Sequence, residues 1–198
     1  MSIPFDNVNR ISILQDGNCF FRCLSTFVNK KLLNAERFKN GRIKNKTLAK
    51  CETDNSVSLR KFICSFVEKN KEKYKNAIYY DDEMYSSIDD RIENMNNIGE
   101  FAGLVEIKEA AKSFRMCINI FVCRENETYN LISKIGKDDH KHCYLVLDNN
   151  HYELLETDFD ILKASPKNKE KSVKKNKKKD YGKSDRVLRN KKRIDYSK

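Results

Sequence analysis

The chain lacks a long apolar run, a secretory signal and an even number of cysteines, and each absence excludes a class of protein. The 198 residues contain no run of 18 consecutive apolar residues, so we expect no membrane-spanning helix and no membrane partner. The first 14 residues mix Asp, Asn and Arg with apolar residues, unlike a secretory signal. Seven cysteines without such a signal predict reduced thiols in a cytoplasmic or nuclear setting. Their odd number argues against a fully paired disulfide framework.

Net charge is absent from most of the chain. The formal charge of +11 arises in residues 164–198, which hold 15 Lys/Arg and 4 Asp/Glu. Residues 1–163 are therefore neutral overall, which excludes nucleic-acid binding by bulk charge in this part. The basic segment contains blocks of like charge and almost no apolar residue, so we expect it to be disordered. The sequence thus predicts one domain over residues 1–163 and a disordered Lys/Arg-rich tail over residues 164–198.

The basic tail has three open interpretations. It could bind an import receptor as a nuclear import signal, it could contact nucleic acid or the ribosome, or it could be a solubilising product of Lys-rich coding. Its composition does not separate the three.

Apolar spacing predicts helices in the first two-thirds of the chain and strands in the last third. This order predicts an α+β fold or a mixed α/β sandwich. Residues 1–18 are predicted to be irregular, and the helix around Leu59–Val67 is expected to begin near Ser56 or Ser58. Other helices are predicted over 19–28, 84–95 and 104–113, and strands over 116–123, 129–132, 143–147 and 151–155.

The strongest chemical signal is a turn, Asp16-Gly17-Asn18, directly before a predicted buried helix that begins at Cys19. A thiol is mostly neutral near pH 7, so a nucleophilic cysteine needs its thiolate stabilised. The unpaired N–H groups and the dipole at a helix N-terminus favour an anion, which makes Cys19 a candidate nucleophile. Gly17 and Asn18 would then point backbone N–H groups at the oxygen of an attacked carbonyl, as an oxyanion loop.

A nucleophilic cysteine also needs a base, and the chain has only three histidines. His151 follows a predicted turn and opens an apolar strand, which would hold its ring on a rigid element. Taken alone, a buried helical cysteine is more often a packing residue, and a strand-edge histidine is more often structural. The cluster of His140, His142 and Cys143 matches no common zinc spacing, so we expect no metal and no other cofactor.

The wording of these motifs resembles a known family. Residues 16–22, Asp-Gly-Asn-Cys-Phe-Phe-Arg, resemble the D-G-x-C-[LF]-[FY]-R signature of the ovarian-tumour (OTU) family of cysteine proteases, whose known members are mostly deubiquitinases. His151-Tyr152 after an apolar strand resembles its closing H-Y motif. The segments Leu59-Arg60-Lys61 to Tyr74 and Gly99–Gly103 followed by Glu106, Ala110 and Ile118-Asn119-Ile120 also resemble family motifs, in the family's order, over about residues 8–155.

The resemblance implies a papain-like α+β fold, with a small mixed sheet flanked by helices, and a thiol-dependent deubiquitinase. Cys19 would form a thioester acyl-enzyme, and His151 would act as general base and then general acid. Asp16 matches the acid three residues before the cysteine that is commonly assigned to the active site. A purely turn-shaping role for Asp16 is an equal alternative.

The third member of the implied triad departs from the family pattern. Members often have Asp or Asn two residues after the histidine, and this chain has Glu153. Residues 151 and 153 of a strand point to one face, so Glu153 can reach the ring of His151. Asn149 is the fallback for this position.

The implied partner is ubiquitin or a polyubiquitin chain, bound by a monomer, and removal of another ubiquitin-like modifier is the alternative. A second hypothesis is a catalytically weak ubiquitin-binding module, because Glu153 is unusual at its position. A third treats the basic tail as the working part and the domain as its carrier.

Overall fold

The computed structural model describes residues 2–4, 8–33, 38–39, 42–76, 85–124 and 128–156. All of them lie in one compact unit, residues 1–158. The predicted domain boundary at residue 163 and the predicted disordered tail fall outside the described residues, and so do the three interpretations of the tail. Among the described helices, none combines the length and the apolar character needed to cross a bilayer.

Helices occupy most of the first half of the described chain and strands most of the second. In chain order the elements are β1 (Ser2–Pro4), β2 (Asn9–Ile11), α1 (Cys19–Val28), α2 (Lys30–Leu33), β3 (Phe38–Lys39), β4 (Arg42–Ile43), α3 (Lys46–Lys69), α4 (Lys71–Tyr74), α5 (Ile88–Met95), α6 (Leu104–Ser113), β5 (Met116–Arg124), β6 (Thr128–Ile135), β7 (Lys141–Asp148) and β8 (His151–Glu156).

Six of the strands form one mixed sheet in the order β1-β6-β5-β7-β8-β2. The central pair, β5 and β7, is parallel, and the other neighbours are antiparallel. The short strands β3 and β4 form a separate hairpin. The predicted α+β class, with a mixed sheet flanked by helices, is confirmed.

The central strands are buried because both of their faces are apolar. Residues 116–121 of β5 and 143–146 of β7 are all buried, as their near-continuous apolar runs predict. Helix α1 packs against β8 and α3, and α6 packs against β5. The core between these helices and the sheet includes Phe20, Phe21, Leu24, Ile63, Val105, Leu145 and Leu154.

A two-residue turn joins β7 to β8 and determines where β8 begins. Asn149 and Asn150 have φ angles of 47° and 62°, in the left-handed region that asparagine tolerates better than most residues. Two such residues in succession are what tight turns between antiparallel strands require. Asp148 consequently pairs with His151, which becomes the first residue of β8.

The prediction of an irregular lead over residues 1–18 is wrong at two places. Residues Ser2–Pro4 pair with β6, and Asn9–Ile11 pair with β8, so the lead supplies both edge strands of the sheet. Each strand has only three residues, too few to show an alternating pattern. Their partners lie more than 100 residues away, so tertiary pairing decides their conformation.

Helix α3 begins about three turns earlier than predicted. The side chain of Asn45 accepts hydrogen bonds from the N–H groups of Thr47 and Leu48 and caps the helix there. The additional turns bury polar residues, Glu52 and Ser56, which leave no apolar periodicity to detect. Ser56 lies inside the helix and does not cap it.

The remaining predicted elements differ only at their ends. Helix α5 begins at Ile88, with the hydroxyl of Ser87 accepting from the N–H of Asp90, whereas the prediction started at Met84, outside the described residues. Strand β6 extends beyond the predicted 129–132 at both ends. Helix α6 has the predicted bounds.

A buried ion pair joins α5 to α6. The guanidinium of Arg91 donates to both carboxylate oxygens of Glu106, at 3.1 and 2.7 Å, and both side chains are 1% exposed. The same carboxylate accepts the N–H of Gly103 at 2.8 Å and so caps the start of α6. Glu106 therefore satisfies a buried charge and a helix terminus at once.

Replacing Glu106 by Gln keeps the size of the side chain and removes the charge opposite Arg91. We expect the free energy of unfolding to fall by about 3 kcal/mol, because the buried guanidinium loses its ion pair with Glu106. Urea denaturation measures this loss. The matched control is Glu93→Gln, an exposed position on α5, which should change stability by less than about 0.5 kcal/mol.

Candidate active site

Cys19 is the first residue of α1, as predicted, and its side chain contacts the start of β8. The residue is 2% exposed, and its Sγ accepts a hydrogen bond from the N–H of Tyr152 at 3.4 Å. Tyr152 directly follows His151, so the predicted nucleophile and the predicted base, 132 positions apart in sequence, are neighbours in space.

Burial decides the protonation of this thiol. It raises the pKa of Cys19 above the ordinary value, and the negative charge of Asp16 acts in the same direction. The N–H groups of Tyr152, Phe20 and Cys19 itself face the sulfur and act in the opposite direction. The donors expected at a helix N-terminus are therefore present, but burial outweighs them. Burial therefore works against the stabilised thiolate that the helix start predicts.

Asp16 shapes the turn before the helix. Its Oδ1 accepts the N–H of Asn18 at 3.1 Å, which closes the turn on itself. Arg22, one turn into α1, donates to both carboxylate oxygens, the shortest contact being 2.6 Å. These contacts agree with the turn-shaping alternative for Asp16, and the guanidinium of Arg22 anchors its carboxylate.

Gly17 is required by both its conformation and its surroundings. Its φ is +71°, and a Cβ at this position would lie 1.7 Å from the carbonyl oxygen of Gly99. The loop that carries residues 99–103 therefore touches the turn before Cys19 directly. No residue with a side chain fits here without moving one of the two loops.

Arg60 binds the turn before Cys19 through its guanidinium. From the sequence this residue is named only as part of a motif and is assigned no role. Its guanidinium, on α3, is fully buried. It donates to the side chain of Asn18 at 2.9 Å and to the carbonyl of Gly17 at 3.1 Å. It also donates to the carbonyls of Met95 and Glu100 at 3.0 and 2.7 Å. The Leu59-Arg60 motif was the one available signal.

Asn18 serves the turn rather than an oxyanion. Its N–H is taken by Asp16, its side-chain amide donates to Ser56 Oγ at 3.0 Å, and its side-chain oxygen accepts from Arg60. The predicted oxyanion role of the Asn18 N–H is therefore not supported by this geometry. The N–H of Cys19, at the first position of α1, has no intrahelical acceptor to bind.

The ring of His151 is oriented by two acceptors. Its Nε2 lies 3.1 Å from the carbonyl oxygen of Ile13 and 3.8 Å from Oε1 of Glu153. Because both neighbours can only accept, Nε2 is assigned the proton, and in the neutral ring this leaves the lone pair on Nδ1. The Nδ1 atom is buried and makes no hydrogen bond within the described residues. The Ile13 carbonyl was not anticipated, because a backbone acceptor has no side-chain signature.

Glu153, the candidate third member of the triad, has one carboxylate oxygen near the ring of His151 and the other bound by Arg10. Its Oε2 accepts from Nε of Arg10, on β2, in a close ion pair. Burial lowers the pKa of Arg10, but the hydrogen bonds with Glu153 and Asp148 outweigh it and the net direction is upward. The fallback, Asn149, is exposed, and its amide donates to Asp148.

A second cluster contains residue types that bind metals. Ligand atoms of Cys117, Asp138 and His142 lie within 4.8 Å of one another. The ring nitrogens of His142, however, already contact Asn119 Nδ2 at 3.2 Å and the Asp138 carbonyl at 3.0 Å, and the Asp138 carboxylate pairs with Lys134. Protein partners thus occupy the ligand atoms of His142 and Asp138. The cluster carries no metal proposal.

The raised pKa of Cys19 can be checked through its reactivity. Because the native thiol holds its proton more tightly than an unfolded one, half-maximal alkylation by iodoacetamide should require a higher pH in the native protein than in guanidinium chloride. Peptide mass spectrometry separates Cys19 from the other six cysteines. A native midpoint below the unfolded one would show instead that an ion pair with His151 stabilises the resting thiolate.

No protein-family model and no curated protein matches the sequence. Solved structures do match it. The viral OTU domain protease from Dera Ghazi Khan virus is 19% identical, with a TM-score of 0.59 over 80% of this chain and 86% of that one. The corresponding protease from Qalyub virus is 17% identical, with a TM-score of 0.58 over 80% and 90%. The OTU of Hazara virus, solved bound to ubiquitin, is 15% identical, with a TM-score of 0.51 over 79% and 86%. The resemblance seen in the motifs is thus confirmed by the architecture: this chain has the OTU-domain fold.

Proposed function

We propose that the protein is a cysteine isopeptidase that cleaves the bond between the C-terminus of ubiquitin and a lysine side chain. One observation carries the proposal: a buried thiol at a helix start lies beside a histidine whose Nε2 faces only acceptors. That tautomer leaves a buried lone pair on Nδ1, which is the state required of a general base.

Burial raises the pKa of Cys19, so the proposed reaction begins with transfer of its proton. Nδ1 of His151 takes the proton of Cys19 as Sγ attacks the carbonyl carbon of the scissile amide. The C–N bond then breaks, the proton passes from His151 to the leaving lysine amine, and a thioester to Cys19 remains. Water then attacks the thioester carbon while His151 accepts a proton from it. The C–S bond breaks, His151 returns the proton to the sulfur of Cys19, and ubiquitin leaves with a free C-terminal carboxylate.

Backbone donors at the start of α1 supply the site for the oxyanion. The N–H of Cys19 is free of intrahelical bonds, and it faces the sulfur, next to which the carbonyl oxygen of the substrate would lie. Arg60 donates a hydrogen bond to the carbonyl oxygen of Gly17, two residues before Cys19, and so fixes the turn that leads into α1. The donor is therefore pre-organised before substrate arrives.

Ubiquitin is proposed as the modifier because neighbours of the same fold have been solved bound to it. The site itself supports a peptide-like substrate. Ile98 and Phe101 are 64% and 55% exposed, and they flank the Gly99 carbonyl that touches Gly17. Two of the large exposed apolar side chains among the described residues thus stand on the loop beside Cys19, where an extended substrate tail would have to pass.

The first test uses a ubiquitin probe with a C-terminal thiol-reactive group. We expect wild type to form a covalent adduct, Cys19→Ala to form none, and His151→Ala to react at least about 100-fold more slowly, since general base catalysis contributes on this scale. The adduct is measured by gel shift, and Cys51→Ala, at an exposed thiol, is the matched control.

Two negative results would mean different things. A folded wild type that binds ubiquitin but forms no adduct would favour the binding-module hypothesis over the isopeptidase. A protein that neither binds nor reacts with ubiquitin, yet reacts with a probe built on a ubiquitin-like modifier, would keep the chemistry and change the substrate. Failure with every modifier would refute the proposed function.

The loop beside the active site gives a separate prediction on substrate binding. Replacing Phe101 by Ala should lower kcat/KM roughly tenfold, mainly by raising KM, because an apolar contact with the substrate tail is lost while the catalytic residues are untouched. Ile132→Ala removes a side chain of similar exposure, 52%, from β6 and should leave both constants unchanged. Equal effects of the two variants would argue against the loop as a substrate surface. Steady-state cleavage of a fluorogenic ubiquitin substrate measures both.

A further inference from the structure

Arg10 is the centre of a charged network behind the candidate base. Besides the ion pair of its Nε with Oε2 of Glu153, its Nη2 donates to Asp148 at 3.1 Å and its Nη1 to the sulfur of Cys123 at 3.7 Å. A single guanidinium therefore binds one residue of β8, one of β7 and one of β5. The sequence gives no indication of this role, because Arg10 lies in the lead that was predicted to be irregular.

Strand pairing puts Arg10 in reach of both carboxylates. Strand β2 pairs with β8, with Arg10 opposite Leu155. Paired residues point to the same side of a sheet, and alternate residues along a strand share a face, so Arg10 and Glu153 lie on one face. Asp148 pairs with His151 at the base of the β7–β8 turn. Arg10 therefore binds both strands of the β7–β8 hairpin, in which His151 is the first residue of β8.

The fork of the guanidinium has a definite consequence for Glu153. Glutamate has one methylene more than the aspartate that often fills this position, and a longer side chain has more rotamers to lose. With Oε2 bound by Arg10, Oε1 is left 3.8 Å from Nε2 of His151, while that nitrogen donates to the Ile13 carbonyl at 3.1 Å. Arg10 therefore restricts Glu153 to the side of the ring that Nε2 faces.

We propose that Arg10 is a positioning residue. Through Glu153 and Asp148 it fixes the ring of His151 so that Nδ1 faces the thiol of Cys19. The proposal rests on the isopeptidase function and extends it, since it explains how this chain uses glutamate at the third position. An arginine bridging two carboxylates suits such a role because its planar fork binds both at once.

The charges of this network determine in which direction each substitution should shift the titration midpoint of the His151 ring. Within the described residues, the charged and titratable groups around Glu153 and the ring of His151 are Arg10, Asp148, Cys123, Tyr129 and, from α1, the thiol of Cys19. In wild type the positive charge of Arg10 offsets the carboxylates next to the ring. Without it, the uncompensated carboxylates favour the protonated ring, whereas loss of the Glu153 charge with Arg10 in place disfavours it.

The variants are Arg10→Gln, Arg10→Lys and Glu153→Gln in the full chain. The matched control is Arg124→Gln, which removes one positive charge from an exposed residue at the end of β5. The first measurement is an NMR titration of the His151 ring, assigned through His151→Gln. It reads the proposal without requiring any enzymatic activity. The second is the pH dependence of kcat and KM on a fluorogenic ubiquitin substrate.

We expect Arg10→Gln to move the titration midpoint of the ring and the acid limb of kcat/KM upward by about half a pH unit or more. It should lower kcat roughly tenfold with KM little changed, because the ring loses its fixed position. Glu153→Gln should move the midpoint downward. Arg10→Lys keeps the charge without the fork, so its midpoint should stay near wild type while kcat falls. Arg124→Gln should behave as wild type.

A general loosening of the fold would not shift the titration midpoint upward in Arg10→Gln and downward in Glu153→Gln. A folded Arg10→Gln protein with an unchanged midpoint and unchanged kcat would overturn the proposal, and so would a downward shift. If Arg10→Gln does not fold, Glu153→Gln decides by its downward shift, and Arg10→Lys decides by its loss of kcat at an unchanged midpoint. An inactive wild type that still shows the opposite NMR shifts would refute the isopeptidase function and leave the positioning network in place.

Discussion

The candidate site depends on one buried guanidinium that organises three segments of backbone. Arg60 donates to the turn before Cys19, to the end of α5 at Met95 and to the loop at Glu100. Burial lowers the pKa of Arg60, yet an arginine side chain stays charged in proteins, so each of these acceptors satisfies a donor that cannot be left bare. Its face also lies 4.3 Å over the ring of Phe21. Loss of any one partner would leave a buried charge incompletely bonded.

This constraint explains why glycine and small polar residues surround the cysteine. The loop at Gly99 is drawn against Gly17 so closely that a Cβ could not fit between them. Asp16 closes the turn on the opposite side through the Asn18 N–H and the guanidinium of Arg22. The helix start is therefore held before any substrate binds, which is the condition under which backbone donors stabilise a developing charge most effectively.

Burial and one backbone acceptor define the state of the candidate site. Burial raises the pKa of Cys19, and Nε2 of His151 lies 3.1 Å from the Ile13 carbonyl oxygen. In the reaction proposed above, the thiol is activated as the sulfur attacks, when its proton moves to His151. The Arg10–Glu153 pair lies behind this arrangement and determines how firmly the ring is held.

Local pattern was sufficient for the elements whose residues share one apolar face. The periodicity over 19–28 and 104–113 located α1 and α6, and the apolar runs located the central strands, because burial of contiguous side chains leaves a regular trace. The motif wording singled out Cys19 and His151, which the fold brings next to each other. Only the tertiary structure decided the edge strands β1 and β2, the first turns of α3, and the partners Arg10, Arg60 and the Ile13 carbonyl. Their conformations and contacts depend on groups far away in the sequence, and a buried polar residue satisfied by such a group leaves no periodic signal.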